Sequence, residues 1–288
     1  MTSAMGARSR ISAILSSEIT AERSVDFACF LASACCHCSC CAMAHARASL
    51  RQILWVYALV CVAVFAVTRL EPLAVVGRYA HLVVAAIFLL TSVRLTRRDP
   101  AHYGVALGGL LEPATDDRMA GPLGLFDLGR AIRKALPSAA IELGVAVGIG
   151  VVVFPLYTVG FYWWNQPATD FSLSLPPSVV SFVVAQLIVI ALPEEAFFRG
   201  YLQTGLSDLT HRRLHVLGVE LALGAWLLQA ALFAAIHFMV EPHPARLAVF
   251  FPALLFGWAR AWRGGIGAAL VLHAMSNLYS EILARSWL

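Results

Sequence analysis

The sequence predicts an all-α fold: a polytopic transmembrane helical bundle of about seven spans, with a four-helix core in its C-terminal half. Composition is the first observation. Of 288 residues, 60% are hydrophobic and only 13% charged, and the mean hydropathy is +0.76. Segmentation is the second: the apolar residues come in blocks of about 20, the length of helix that crosses a bilayer core. Third, the charges gather between those blocks. The net charge of +4 is therefore read through loop positions, and no nucleic-acid partner is expected.

Three regions are expected: a leader over 1–47, two N-terminal transmembrane helices with a polar cytoplasmic loop over 48–136, and a transmembrane core over 137–288. In the leader, Glu18, Glu22 and Asp26 do not suit a signal-peptide start, and six of the seven cysteines lie between Cys29 and Cys41. Cys35-Cys36-His37-Cys38-Ser39-Cys40-Cys41 lacks the second ligand cluster that a zinc or iron–sulfur site wants. Acylation of these cysteines is a weak alternative. The expectation is a poorly ordered leader, or sequence upstream of a start at Met43, from which a basic lead-in runs to Arg51.

Span one covers Gln52–Thr68 and span two Ala74–Val93. A polar segment follows, from Arg94 past Asp116 and Asp117 to Lys134, the only lysine. Pro137 is expected to open span three, which runs to Phe161 and carries Gly144 and Gly148 at a small-xxx-small spacing that permits close helix packing. Phe161-Tyr162-Trp163-Trp164 reads as an interfacial aromatic belt. Spans four to seven are Ser178–Tyr201, Leu217–Met239, Ala245–Trp262 and Ile266–Leu283. With seven spans, thirteen basic residues fall on one side and four (Arg69, Arg78, Arg246, Arg285) on the other, which favours a cytoplasmic N-terminus. The arginine bias suggests a GC-rich, bacterial coding sequence, so the expected location is the bacterial plasma membrane.

The chemistry gathers in the C-terminal half. Pro193-Glu194-Glu195-Ala196-Phe197-Phe198-Arg199-Gly200 puts two carboxylates and an arginine at the end of an apolar run. Charge in hydrocarbon is expensive by a few kcal/mol per group, so such residues are paired or functional. On a helix, Glu195 and Arg199 lie four apart on one face, the good orientation for an ion pair. Glu194 is rotated away by about a third of a turn, which makes it the less firmly paired carboxylate. A paired carboxylate beside a spare one suits acid–base chemistry in a dry site. Phe233 stands one turn before His237, and His273 and Asn277 share a face of span seven. Any one of these can be helix–helix glue; together they occupy three helices. Glu142, Glu220 and Glu281 lie near helix ends and read as structural. Straight helices would leave Glu194, His273 and His237 at three depths, so a break at Pro193 is expected.

Glu194-Glu195-x-x-x-Arg199, Phe233-x-x-x-His237 and His273-x-x-x-Asn277 together resemble the three motifs of the CAAX-protease and bacteriocin-processing family of intramembrane endopeptidases. That family includes the eukaryotic endopeptidase that trims prenylated proteins. The resemblance covers residues 178–283, four helices. It implies a glutamate-dependent protease in which Glu194 and His237 activate water while His273 and Asn277 stabilise the oxyanion. Glu195, Arg199 and Phe233 would support the site. No cofactor is then needed. The metal alternative has zinc held by Glu194, His237 and His273, since two histidines and a glutamate form a known catalytic set. The expected partners are the lipid bilayer and a membrane-anchored or lipidated protein or peptide. Asp99-Pro100-Ala101-His102-Tyr103-Gly104 resembles a segment of the bacterial sorting-type members. Neither Gly-x-Ser-x-Gly nor His-Glu-x-x-His occurs. A non-catalytic immunity or scaffold protein would tolerate loss of a motif residue, and a transporter would show internal repeats; neither sign is present.

Overall fold

A computed structural model describes residues 48–70, 72–107 and 125–287. The expectations for the leader, and for the segment holding Asp116, Asp117 and Arg118, lie outside these residues. Seven helices occur where spans were expected: α1 (Leu50–Leu70), α2 (Ala74–Thr96), α3 (Leu125–Asn165), α4 (Val179–Asp208), α5 (Leu223–Val240), α6 (Phe250–Arg263) and α7 (Gly267–Trp287). A short antiparallel hairpin, β1 (Arg213–Val216) with β2 (Val219–Ala222), joins α4 to α5. Five helices, α1 to α5, contain stretches long and apolar enough to cross a membrane. The 14 residues of α6 rise only about 21 Å, short of a hydrocarbon core of about 30 Å. Although α7 is long enough, Ser276, Asn277, Ser280 and Glu281 lower its hydropathy.

Local chemistry explains most boundaries and corrects several. Ser49 and Gln52 form a capping box at the start of α1, each side chain accepting from the other's backbone N–H at 3.3 and 2.8 Å. Span five begins at Leu223 and not Leu217, because Leu217 and Gly218 take positive φ (50° and 79°) and turn the hairpin. Ahead of α6, Pro244–Val249 is a 3₁₀ turn, so the regular helix starts at Phe250 instead of Ala245. Pro137 does not open α3; the helix begins at Leu125 and carries Pro137 and Pro155 inside its 41 residues. Among the described residues nothing packs against Gly144 or Gly148, so the close approach expected there is not seen. The contact of α3 with α7 runs instead through Ala146 and Gly150, with Met275 against the latter.

The core is built around α4. Phe197, Phe198, Leu202 and Leu206 are buried with Ile53, Val60 and Val64 of α1, Phe88 of α2 and Phe233 of α5. Tyr57 on α1 donates its hydroxyl to the Leu232 carbonyl on α5 at 2.8 Å, which ties the N-terminal helices to the core. The outward faces are apolar, Val151, Leu156 and Trp163 being at least 70% exposed, as lipid-facing surface requires. Phe161, Tyr162 and Phe171 pack on Trp287 at the end of α7, which places the aromatic cluster at one end of the bundle.

Candidate active site

The site is seated on an irregular helix. In α4, π-helical turns over Gln186–Ala191 and Ala196–Gln203 flank the four residues Leu192–Glu195. The Leu192 N–H reaches back five residues to the Leu187 carbonyl. Pro193 offers no N–H, and its ring crowds the carbonyl four residues earlier, so a wide turn before it relieves both problems. The expected break is thus not a break: α4 runs on through Pro193, and the wide turns shift the side chains around the axis. Glu194 and Glu195 are thereby both brought to α7.

One imidazole contacts the two carboxylates. His273 Nδ1 lies 2.7 Å from Glu195 Oε1, and its Nε2 lies 3.9 Å from Glu194 Oε2. Glu195 Oε1 also accepts from Arg199 Nη1 at 2.8 Å, with both side chains fully buried. The Arg199 guanidinium donates on to the Ala253 carbonyl at 3.3 Å and lies over the Phe233 ring at 4.4 Å, a cation–π contact in a desolvated setting. Phe233 in turn meets the His237 ring at 4.4 Å, and Phe256 stacks on His273 at 5.0 Å. Glu195 is therefore held from two sides. Each glutamate keeps a buried Oε2 with no hydrogen-bond partner, but the Glu194 side chain is 16% exposed where that of Glu195 is fully buried.

Glu194 and His237 share a pocket of about 220 Å³, walled by α1, α2 and α5. His237 Nδ1 donates to the Phe233 carbonyl at 2.8 Å; since a carbonyl only accepts, the neutral ring carries its proton there and leaves Nε2 free as an acceptor. Asn277 is not on the pocket wall. Its Nδ2 donates to Gln186 Oε1 at 2.7 Å, one turn along α7 from His273. Gln186 belongs to no motif; its signal is that it is the one amide in the apolar run Val179–Leu192. His81, Glu241 and Arg246 also line the pocket, and only their position in the fold reveals them. Among the described residues, no three His, Cys, Asp or Glu side chains are grouped closely enough to hold a metal ion.

Beneath the site, the Asp99–Gly104 segment acts as a strap. Asp99 accepts from the His102 N–H at 3.0 Å, His102 pairs with Asp208 at 3.0 Å, and the Gly104 carbonyl accepts from Ile266 at 2.9 Å. Burial, with Asp208 and Asp99 close by, pushes the Tyr103 phenol above its ordinary range and keeps it neutral where it stacks on Tyr201. Glu142, expected to snorkel, instead forms a two-pronged pair with Arg263 at 2.9–3.2 Å. Glu220 and Glu281 pair at the surface with Arg213 and Arg285.

Residues 176–279 match the family described as type II CAAX prenyl endopeptidase Rce1-like. No curated protein and no solved structure matches the chain.

Proposed function

The C-terminal core of this membrane protein belongs to the type II CAAX prenyl endopeptidase Rce1-like family, a family of proteases, and from that premise we propose that it cleaves a membrane-anchored protein or peptide by glutamate-dependent hydrolysis. The observation that carries the mechanism is that Glu194, part-exposed where Glu195 is fully buried, lines a pocket together with His237. A water there has two bases within reach, the carboxylate and His237 Nε2. Attack on the peptide carbonyl passes the water proton to Glu194 and leaves a tetrahedral oxyanion. Collapse of that intermediate breaks the C–N bond, and the same proton goes to the leaving amine.

The oxyanion is assigned to His273 and Asn277. Asn277 keeps one N–H beyond the bond to Gln186. His273 has its Nδ1 committed to Glu195, so it donates from Nε2 only as the doubly protonated ring. Glu195 and Arg199 orient His273 and do not meet substrate.

Purified protein in liposomes should cleave single-pass substrates presented in the same bilayer. Glu194→Gln preserves shape and removes the base, so it should fold, retain substrate binding and lose nearly all turnover. Near-wild-type turnover by a well-folded Glu194→Gln protein overturns the glutamate mechanism.

A further inference from the structure

Among the described residues, the polar lining of the pocket away from Glu194 gathers at one end of the bundle. Its walls are the last turn of α1 at Thr68, the first turns of α2 at Ala80 and His81, the end of α5 at Val240, and the link beyond it at Glu241 and Arg246. Glu194 lies at its inner end. All these helix ends belong to the face formed by the α1–α2 turn and the α5–α6 link. Beyond Glu194, the way to the opposite face is filled by Phe197, Phe198, Leu202 and Leu206, each no more than 3% exposed. On that face the strap packs on α4 and α6, where Arg260 ties the His102 carbonyl to the Thr204 hydroxyl at 3.2 and 3.0 Å.

Charge orients the two faces. The mouth shares its end of the bundle with the four basic residues Arg69, Arg78, Arg246 and Arg285, while ten others among the residues whose side chains are described, Arg51, Arg97, Arg213 and Arg263 with them, fall at the strap end. Basic loops near membrane spans are retained in the cytoplasm. We infer that the pocket admits substrate from the extracytoplasmic face, so that its substrates are membrane-anchored proteins whose scissile segment lies on that side of the bilayer. This rests on the protease reading above and narrows its substrate class. A C-terminus lipidated in the cytoplasm would meet the strap and the packed phenylalanines, not the mouth.

The lip carries chemistry suited to a polypeptide. His81 and Arg246 supply donors and Glu241, hydrogen-bonded to Arg246, an acceptor, while Val64, Val84 and Ile236 line the depth for an apolar side chain. The exposed Trp163 and Trp164 at the end of α3 mark the headgroup level on this side, and Glu194, well inside α4, lies below it within the bilayer.

Two experiments decide it. Full-length Leu73→Cys, at the α1–α2 turn, and Leu217→Cys, at the hairpin tip, are 58% and 86% exposed in the parent chain and should fold unchanged. With the unsubstituted protein as blank, a membrane-impermeant maleimide should label Leu73→Cys in intact spheroplasts and Leu217→Cys only after permeabilisation. Any other pattern overturns the inference. Second, one peptide tail is displayed by a single-pass anchor on the extracytoplasmic or the cytoplasmic side, with wild type compared with Glu194→Gln. Glu194-dependent cleavage confined to the extracytoplasmic reporter is the expected result. Cleavage of the cytoplasmic reporter alone overturns the inference and leaves the protease reading standing. Failure to cut either counts against the protease reading, while the labelling pattern still decides the face.

Discussion

Glu194 and Glu195 are neighbours with opposite fates, and the difference lies in what each oxygen meets. Glu195 accepts from both Arg199 and His273 on a single oxygen, so it is fixed. Glu194 is 16% exposed and lines the pocket, so it is the carboxylate that a water can reach. Removing one partner of a buried ion pair strands the other charge, at a cost of about 3–5 kcal/mol. Arg199→Ala should therefore lower the melting temperature in detergent as well as activity, and a variant that melts like wild type would refute the supporting role. Asn277→Ala should instead cut kcat by about 10²–10³ with little change in KM, since an oxyanion donor acts in the transition state. Gln186→Leu, which frees the Asn277 amide without removing it, should show a smaller fall in kcat; an unchanged rate in both variants removes Asn277 from the chemistry. Treatment with EDTA should leave activity intact. Loss restored by stoichiometric zinc would convert Glu194, His237 and His273 into ligands.

At the scale of elements, the site depends on departures from regular helix. Two π segments in α4 let adjacent glutamates reach one histidine on α7. Behind them Gly200 lets the strap lie close: a Cβ there would sit 2.5 Å from Val105 Cγ1. Gly200→Ala should thus destabilise by about 1–3 kcal/mol, the usual cost of overpacking. Val105→Ala in the same chain should recover most of it, a coupling read from the two single variants and the double. Equal melting of Gly200→Ala and wild type would show that the strap yields at no cost. These elements also show how far sequence reading carries. The seven helices were legible because apolar length is a strong signal, and the spacing of Glu195 and Arg199 foretold their pair. The α4–α5 hairpin was hidden because Val216-Leu217-Gly218-Val219 is as apolar as the helix it precedes. The wide turns that bring Glu194 level with His273 leave no periodic trace, only Pro193. Gln186 and the lip residues escaped because what makes them neighbours is the fold, not their spacing.

For the whole molecule, the described core closes on itself from the capping box at Ser49 onward. Ile53, Val60 and Val64 of α1 belong to the same buried cluster as Phe197 and Phe198 beside the glutamates. The first helix is therefore part of the protease fold and not an added anchor. Two truncations follow with opposite expectations. A chain beginning at Met43 keeps Ser49, Gln52 and every contact described for α1, so it should insert, melt and cleave like the full chain. A chain beginning at Phe65 removes Ile53, Val60 and Val64, and with them about 1.5–3 kcal/mol of burial for each side chain. It also strips Tyr57 from the Leu232 carbonyl. That second chain should fail to accumulate in the membrane, or melt well below the first, and should lose Glu194-dependent cleavage. The measurements are membrane fractionation, melting in detergent and turnover of the reporter tail. If the Met43 chain loses insertion and turnover, the Cys29–Cys41 segment belongs to the working protein; if the Phe65 chain retains them, α1 is dispensable and the core must close without it.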